Sequence, residues 1–323
     1  MRLGLLLLLV ISSMPSSAVG EAPLEPGLAV RSDVLFFGTF KTFPWKSNWG
    51  VKWGPIGGGW ELITGSEALT DPSFRVKYPA GCYDSQPSGC SFKCDFDLMG
   101  MRETKHESLY LRYYLKFEKG FEFVKGGKLP GLVGGAANTG GKKPTGLDGW
   151  SARIMWREGG KIVQYLYHPD QPTQYGEDIP WSIGGQRHFV PGQWHCVETY
   201  IQLNTPGKRD GILRSWLDDE LACERVNIRY RDIPSIKIDS LYFSTFHGGD
   251  DPSWAPSKDV YCLFDNFVIA KNYIGLAMFE NAFSIEKELQ TMRKRMFICV
   301  AVTAAAASTL AAIHFHRKKN RAN

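Results

Sequence analysis

Five polar side chains between positions 128 and 167 have the types and spacing to act on one anionic group. Lys128 lies in Lys-Gly-Gly-Lys-Leu-Pro-Gly-Leu (125–132). Ser151 and Arg153 lie in Asp-Gly-Trp-Ser-Ala-Arg-Ile-Met-Trp-Arg (148–157), and Tyr165 and Tyr167 in Gln-Tyr-Leu-Tyr-His (164–168). Ser151 and Arg153 are two apart, as are the two tyrosines, and on a β-strand that spacing puts each pair on one face. A lysine and an arginine can hold a carboxylate, while a tyrosine can move protons. No cluster of metal-ligating residues accompanies them, so no metal and no cofactor are expected. The chemistry this set suits is proton transfer on an acidic sugar.

Strands must position these groups. Leu109, Leu111, Tyr113, Leu115 and Phe117 alternate with Tyr110, Arg112, Tyr114 and Lys116, a period of two. The same alternation runs through 151–157 and 197–204. Further strands are expected at 34–40, 161–168, 212–218, 238–246 and 260–269. The Gly159-Gly160 turn makes 151–157 and 161–168 a hairpin, which brings the Ser/Arg and Tyr/Tyr pairs together. Lys128 sits in a segment bounded by Gly and Pro. Glu198, Gln202 and Asn204 are expected as hydrogen-bonding groove residues, and His247, before Gly248-Gly249, as a further ligand contact. Many strands without intervening helices predict a single all-β antiparallel sandwich over 21–275.

The two ends of the chain carry different signals. Arg2, the apolar run Leu3 to Ile11 and Ala18-Val19-Gly20 form a secretory signal over 1–20,. Residues 276–296 turn helical in pattern, as a stalk. Phe297 to Phe315 is an apolar run of bilayer length, followed by a basic tail over 316–323. Together these predict a single-pass type I membrane protein whose bulk is lumenal or extracellular. Arg2, the three basic residues at 293–295 and the four at 317–321 carry eight positive charges, and removing them from the net +5 leaves −3. The composition therefore gives no support to nucleic-acid binding, and it names no protein partner. Cys82, Cys90, Cys94, Cys196, Cys223 and Cys262 lie outside the apolar run, and an even number in a secreted chain predicts disulfides, Cys82 with Cys90 or Cys94 locally. No Asn-x-Ser/Thr acceptor for N-glycans occurs.

The ordered motifs Gly-Lys-Leu-Pro-Gly-Leu (127–132), Gly-Trp-Ser-x-Arg (149–153), Tyr-x-Tyr (165–167), Gly-x-Trp-His-x-x-Glu-x-Tyr-x-x-Leu-Asn (192–204) and Phe-Ser-Thr-Phe-x-Gly-Gly (243–249) resemble polysaccharide lyase family 14. The resemblance covers roughly residues 35–270. It implies a concanavalin-A-like β-jelly roll that holds an acidic polysaccharide such as alginate or glucuronan. It puts the family's catalytic Lys on Lys128, its Ser and Arg on Ser151 and Arg153, and its two Tyr on Tyr165 and Tyr167. A His that some members place shortly before the Ser has no counterpart near Thr145, and a membrane anchor is not general in the family.

The implied reaction removes the C5 proton of a uronic acid and expels the O4-linked sugar. Lys128 or Arg153 would neutralise the carboxylate, Tyr165 would act as base, acid or both, and Ser151 and Tyr167 would orient the sugar. A non-catalytic membrane-anchored lectin for acidic glycans is the alternative. A glycoside hydrolase is disfavoured, because no second carboxylate partners Glu198.

Overall fold

The computed structural model describes residues 25–277, apart from residues 30, 42–43 and 86. Alternation of apolar and polar residues gives fifteen strands here. They are β1 (Val34–Gly38), β2 (Val51–Ile56), β3 (Trp60–Ile63), β4 (Ser73–Tyr78), β5 (Cys90–Asp95), β6 (Ser108–Phe117), β7 (Gly126–Gly135) and β8 (Gly149–Arg157). There follow β9 (Ile162–Tyr167), β10 (Glu177–Pro180), β11 (His195–Gln202), β12 (Gly211–Leu217), β13 (Glu220–Ile228), β14 (Ser240–His247) and β15 (Val260–Ala270). All pairings between them are antiparallel.

The strands form two sheets. The back sheet has the order β13-β12-β11-β6-β15-β4-β3, with β1 added on β15, and the front sheet runs β10-β9-β8-β7-β14-β5-β2. An all-β sandwich of antiparallel sheets is the architecture the alternation predicts, and its form is consistent with a jelly roll. The front-sheet pair β8–β9 is the expected hairpin, turned through Glu158–Gly160.

Between the sheets lies one large aromatic core. Trp150, Ala152, Ile154 and Trp156 point into it from β8, and Leu109, Leu111, Tyr113, Leu115 and Phe117 from β6. Phe92 and Phe243 of the front sheet stack with centroids 4.4 Å apart, and Tyr113 stacks on Phe267 at 4.7 Å. The Tyr113 hydroxyl donates across the sandwich to the Pro130 carbonyl, 3.1 Å away. That bond satisfies a polar group the core would otherwise strand.

The segment around Lys128, read from its Gly and Pro as a bounded stretch, is instead a central strand. Its pairing with β8 slips by one residue between Leu129 and Gly131. A bulge at Pro130 lets a residue without an N–H sit inside a sheet. It also changes which residues share a face. Leu129 and Leu132 are three apart, yet both are buried in the core, while Lys128 and Gly131 both share the outer face. Gly131 has no room for a side chain there, since a Cβ would lie 2.0 Å from the Ala152 carbonyl oxygen and 2.7 Å from the Arg153 Cα.

The expectation of disulfides is corrected. Cys82, Cys90, Cys94, Cys196, Cys223 and Cys262 are all free thiols, and all but Cys82 are buried. Cys90 and Cys94 both face the core from β5, four residues apart, which on a strand is about 13 Å and far beyond disulfide reach. They pack as small hydrophobes, and burial pushes both thiols up. The signal segment (1–20), the membrane run (297–315), the tail (316–323) and the stalk from 278 onward lie outside the described residues. Among the described residues no helix is long and apolar enough to cross a membrane.

Two outcomes follow from this packing. Denatured, unreduced fragment 25–277 should label at all six cysteines with a thiol reagent, whereas the folded fragment should label slowly except at Cys82; fewer than six labelled sites would mean that disulfides form. Gly131→Ala should lower stability by roughly 1–3 kcal/mol, the cost of overpacking, read as a shift in denaturant midpoint. A midpoint unchanged from the parent would show that β7 and β8 are not held as closely as the bulge requires.

Candidate active site

One cross-strand row of residues spans the whole front sheet on its outer face. Trp53 on β2 is opposite Lys93 on β5, and Lys93 is opposite Tyr242 on β14. Tyr242 is opposite Gly131 on β7, Gly131 opposite Arg153 on β8, Arg153 opposite Tyr165 on β9, and Tyr165 opposite Asp178 on β10. Side chains in such a row are nearest neighbours. Lys128, next along β7, joins them. The hairpin brings together Arg153 and Tyr165, as the spacing predicted, and β7 adds Lys128.

Tyr165 is ringed by three cations. The Lys128 Nζ lies 5.3 Å from its ring centroid, and the Arg153 and Arg157 guanidinium carbons each 5.8 Å. Lys128 also sits 5.4 Å from the Phe246 ring and 5.9 Å from that of Trp254. Arg153 lies 5.4 Å from Tyr242. Arg157 is held bidentately by Asp178 at 2.8 and 2.7 Å. Arg153 differs, being 2% exposed, with Nη1 donating only weakly to the Ser244 Oγ at 3.3 Å and Nε buried without a partner. Among the described residues no carboxylate forms an ion pair with Arg153 or Lys128.

These surroundings set the protonation of Lys128 and Tyr165. Burial, with the positive charges of Arg153 and Arg157 nearby, pulls the half-buried Lys128 amine down to about 7. Burial and the adjoining Tyr167 phenol push Tyr165 well up, and Arg153 and Arg157 offset this only in part. Lys128 is thus poised between amine and ammonium near neutral pH, and Tyr165 stays a phenol.

Ser151 and Tyr167 share the outer face but their hydroxyls are engaged. The Ser151 Oγ donates to the Asn138 carbonyl at 2.6 Å, and the Tyr167 oxygen accepts from the Gly141 N–H at 3.0 Å. They anchor the β7–β8 connection, which meets the β9–β10 connection where the Lys143 Nζ donates to the Gln171 carbonyl at 2.8 Å. Beneath the row, Gln164 is fully buried; its amide donates to the Arg153 carbonyl at 2.9 Å and its oxygen accepts from Ser215 Oγ of the back sheet at 2.9 Å. This bridge fixes β8 at the arginine.

Four expected groove residues lie elsewhere. Glu198 is on β11 of the back sheet, where its carboxylate accepts from the Ile274 and Gly275 N–H groups at 2.8 and 2.9 Å; burial raises it to about 7. Gln202, on the same strand, accepts from the Tyr200 hydroxyl at 3.0 Å. Asn204 is buried and locks a turn, donating to the Thr205, Lys208 and Arg231 carbonyls and accepting from the Tyr230 and Arg231 N–H groups. His247 points into the core against Tyr78, Phe121 and Trp156. Its Nε2 meets the Glu122 carbonyl at 2.7 Å, and burial takes its pKa down to about 4. The sequence reasoning missed Tyr242, Ser244 and Phe246, although strict alternation along 241–247 puts them outward and Phe243, Thr245 and His247 inward. It also missed Arg157 and Asp178. Among the described residues no group of three or more His, Cys, Asp or Glu side chains is placed to hold a metal ion.

Known proteins can be set beside this geometry. Residues 66–267 match the family described as polysaccharide lyase 14. The marine PL-14 alginate lyase from Aplysia kurodai is 27% identical over 65% of this chain and 87% of its own, with a TM-score of 0.56. The alginate lyase Aly36B, in a variant bound to an alginate trisaccharide, is 26% identical over 62% and 82%, with a TM-score of 0.54. The alginate lyase vAL-1 from Chlorella virus, at 22% identity, TM-score 0.58 and coverage of 70% and 93%, shares the fold. A comparison with curated protein sequences gives no match. With the family match covering more than half of its length, the chain belongs to polysaccharide lyase family 14 and is a polysaccharide lyase.

Proposed function

We propose that the outer face of the front sheet binds a uronate polymer of the alginate or glucuronan type and cleaves it by β-elimination, with Lys128 as base and Tyr165 as acid. The observation that carries this reading is Arg153, a buried guanidinium with no carboxylate partner among the described residues. An unpaired buried charge is costly, and a sugar carboxylate is the planar acceptor a guanidinium fits best. The two alginate lyases near one quarter identity support the same substrate class.

Arg153 neutralises the uronate carboxylate, which makes the adjacent C5–H acidic and stabilises the enediolate as it forms. Neutral Lys128 takes the C5 proton. The electron pair of that bond forms the C4=C5 double bond, and the C4–O4 bond breaks. Tyr165, kept protonated by burial, gives its proton to the departing O4. The products are a 4,5-unsaturated uronate end and a free hydroxyl. Proton return from the Lys128 ammonium to the Tyr165 phenolate restores both groups. Ser151 and Tyr167 serve by holding the β7–β8 connection in place.

The protonation states fix the pH dependence. The competent form has Lys128 deprotonated, so kcat/KM for the free enzyme should rise with pH through about 7 and then level off, since Tyr165 loses its proton only far higher. Lys128→Ala should lower turnover and remove that rising limb. Tyr165→Phe should keep binding and lower kcat by roughly a hundredfold or more, as for a lost general acid, while Arg153→Ala should weaken binding and turnover together. Formation of unsaturated ends, followed by absorbance on alginate and polyglucuronate with chelator present, reads all of these. A limb that persists in Lys128→Ala would rule out the lysine as base.

We further propose that the chain enters the secretory pathway and is anchored by Phe297 to Phe315, with the sandwich lumenal or extracellular. The full-length protein should then stay with membranes through alkaline carbonate extraction, while a chain ending at residue 277 should not. Release of the full-length chain by carbonate would contradict the anchor.

A further inference from the structure

We infer that Trp53, with Lys93, forms a second sugar subsite at the far end of the cross-strand row, gripping the polymer several units from the bond that breaks; this rests on the uronate-lyase reading. The register places Trp53 and Tyr165 in one line across the sheet, five strand spacings apart, or about 24 Å. Contacts bridge much of that distance. The Trp53 ring meets Tyr242 edge-on at 5.7 Å, and Tyr242 lies 5.4 Å from Arg153.

Exposure rises from the middle of the row toward β2. Tyr165 and Arg153 are 5% and 2% exposed, Tyr242 and Lys93 are half-buried, and Trp53 is 38% exposed. At the other end Asp178 is exposed too, but its carboxylate is bound to Arg157 and carries the charge that repels a uronate,. A polymer whose carboxylate reaches Arg153 can therefore continue over Tyr242 and onto Trp53.

The local backbone is built to present this side chain. The pairing of β2 with β5 slips between Val51 and Trp53, so Val51 packs against the core while Trp53 turns outward. Bulges re-aim side chains in this way. Gly54 follows at a φ of 92°, and a Cβ there would lie 2.5 Å from the Ser91 carbonyl oxygen.

The chemistry offered is that of a sugar ring. An exposed indole face accepts the C–H face of a pyranose ring. Lys93 and Lys52 share the Asp95 carboxylate at 3.3 and 2.7 Å and Asp239 lies near both, so the indole carries the grip and Lys93 supplies a hydrogen-bond donor beside it. Trp53 lies before, and Lys93 within, the segment 66–267 that matches the family.

The test compares Trp53→Ala and Trp53→Phe with the parent on a size-defined uronate trisaccharide and hexasaccharide. Turnover of either by the parent tests the lyase reading by itself. With an active parent, Trp53→Ala should raise KM for the hexasaccharide about tenfold, the scale of one aromatic stacking contact, with kcat and trisaccharide kinetics unchanged. Trp53→Phe should recover part of the loss. Equal effects on both lengths, or none on the hexasaccharide, would overturn the subsite. With an inactive parent the same comparison is made by calorimetric binding, where a loss confined to the hexasaccharide supports the subsite and a length-independent result overturns it. Unchanged melting temperatures confirm that the variants are folded.

Discussion

Keeping the Arg153 guanidinium out of water, with no counter-ion among the described residues, works against folding, and much of the front sheet is arranged around that cost. Its strand is pinned from below by Gln164, which ties the Arg153 carbonyl to Ser215 of the opposite sheet. Gly131 beside it leaves no side chain to hold β7 and β8 apart. Tyr242 and Tyr165 flank the guanidinium on either side. Most of the stability that offsets the unpaired cation comes from the aromatic core, where Phe92, Phe243, Phe264 and Phe267 link the two sheets.

The two outer faces of the sandwich do different work, and Glu198 shows why. On the back sheet its carboxylate caps the N–H groups of Ile274 and Gly275, and Arg112 takes the Gly275 carbonyl and the Glu25 carboxylate at 3.0 and 2.5 Å. The described ends of the chain are thereby tied across that face. The proposed polymer face is accordingly the front sheet. Glu198 and Arg153 are both buried ionic groups, but Glu198 has hydrogen-bond donors for both carboxylate oxygens, whereas Arg153 has no carboxylate partner among the described residues.

The fold was legible because period-two alternation is strong in β6, β8, β11 and β15, and the hairpin that unites Arg153 with Tyr165 was legible from the two-residue spacings and a glycine turn. What failed has a common cause. Face membership along a strand follows parity, and parity was not carried through Phe243 to His247, which would have sent the histidine inward and Tyr242 outward. Sheet membership does not follow from local pattern at all: nothing in 195–202 says that Glu198 joins the back sheet. The β7 bulge is hidden because Pro130 and its glycines mark a bounded segment rather than a strand, although Leu129 and Leu132 both needing the core is the signal for an extra residue between them. The disulfide reading rests on an even cysteine count in a secreted chain, while the positions of Cys90 and Cys94, both on the inward parity of one strand, argue for packing.

Burial also bears on how two weak proton carriers would divide the work in the proposed reaction. In water, tyrosine and lysine have pKa values near 10 and 10.4, and neither is a good base at neutral pH. Desolvation acts on the two in opposite directions, because it disfavours whichever form is charged. The same dry, cation-rich surroundings that make Lys128 a usable base therefore keep Tyr165 a usable acid. Arg153 adds to the effect on lysine through repulsion and opposes it on tyrosine through attraction, yet burial is the larger influence on both. A substrate carboxylate paired with Arg153 would screen that repulsion and strengthen Lys128 as a base once the sugar is in place. In the proposed mechanism the residue that recognises the substrate thus also tunes the residue that attacks it, and both depend on a guanidinium with no carboxylate partner among the described residues.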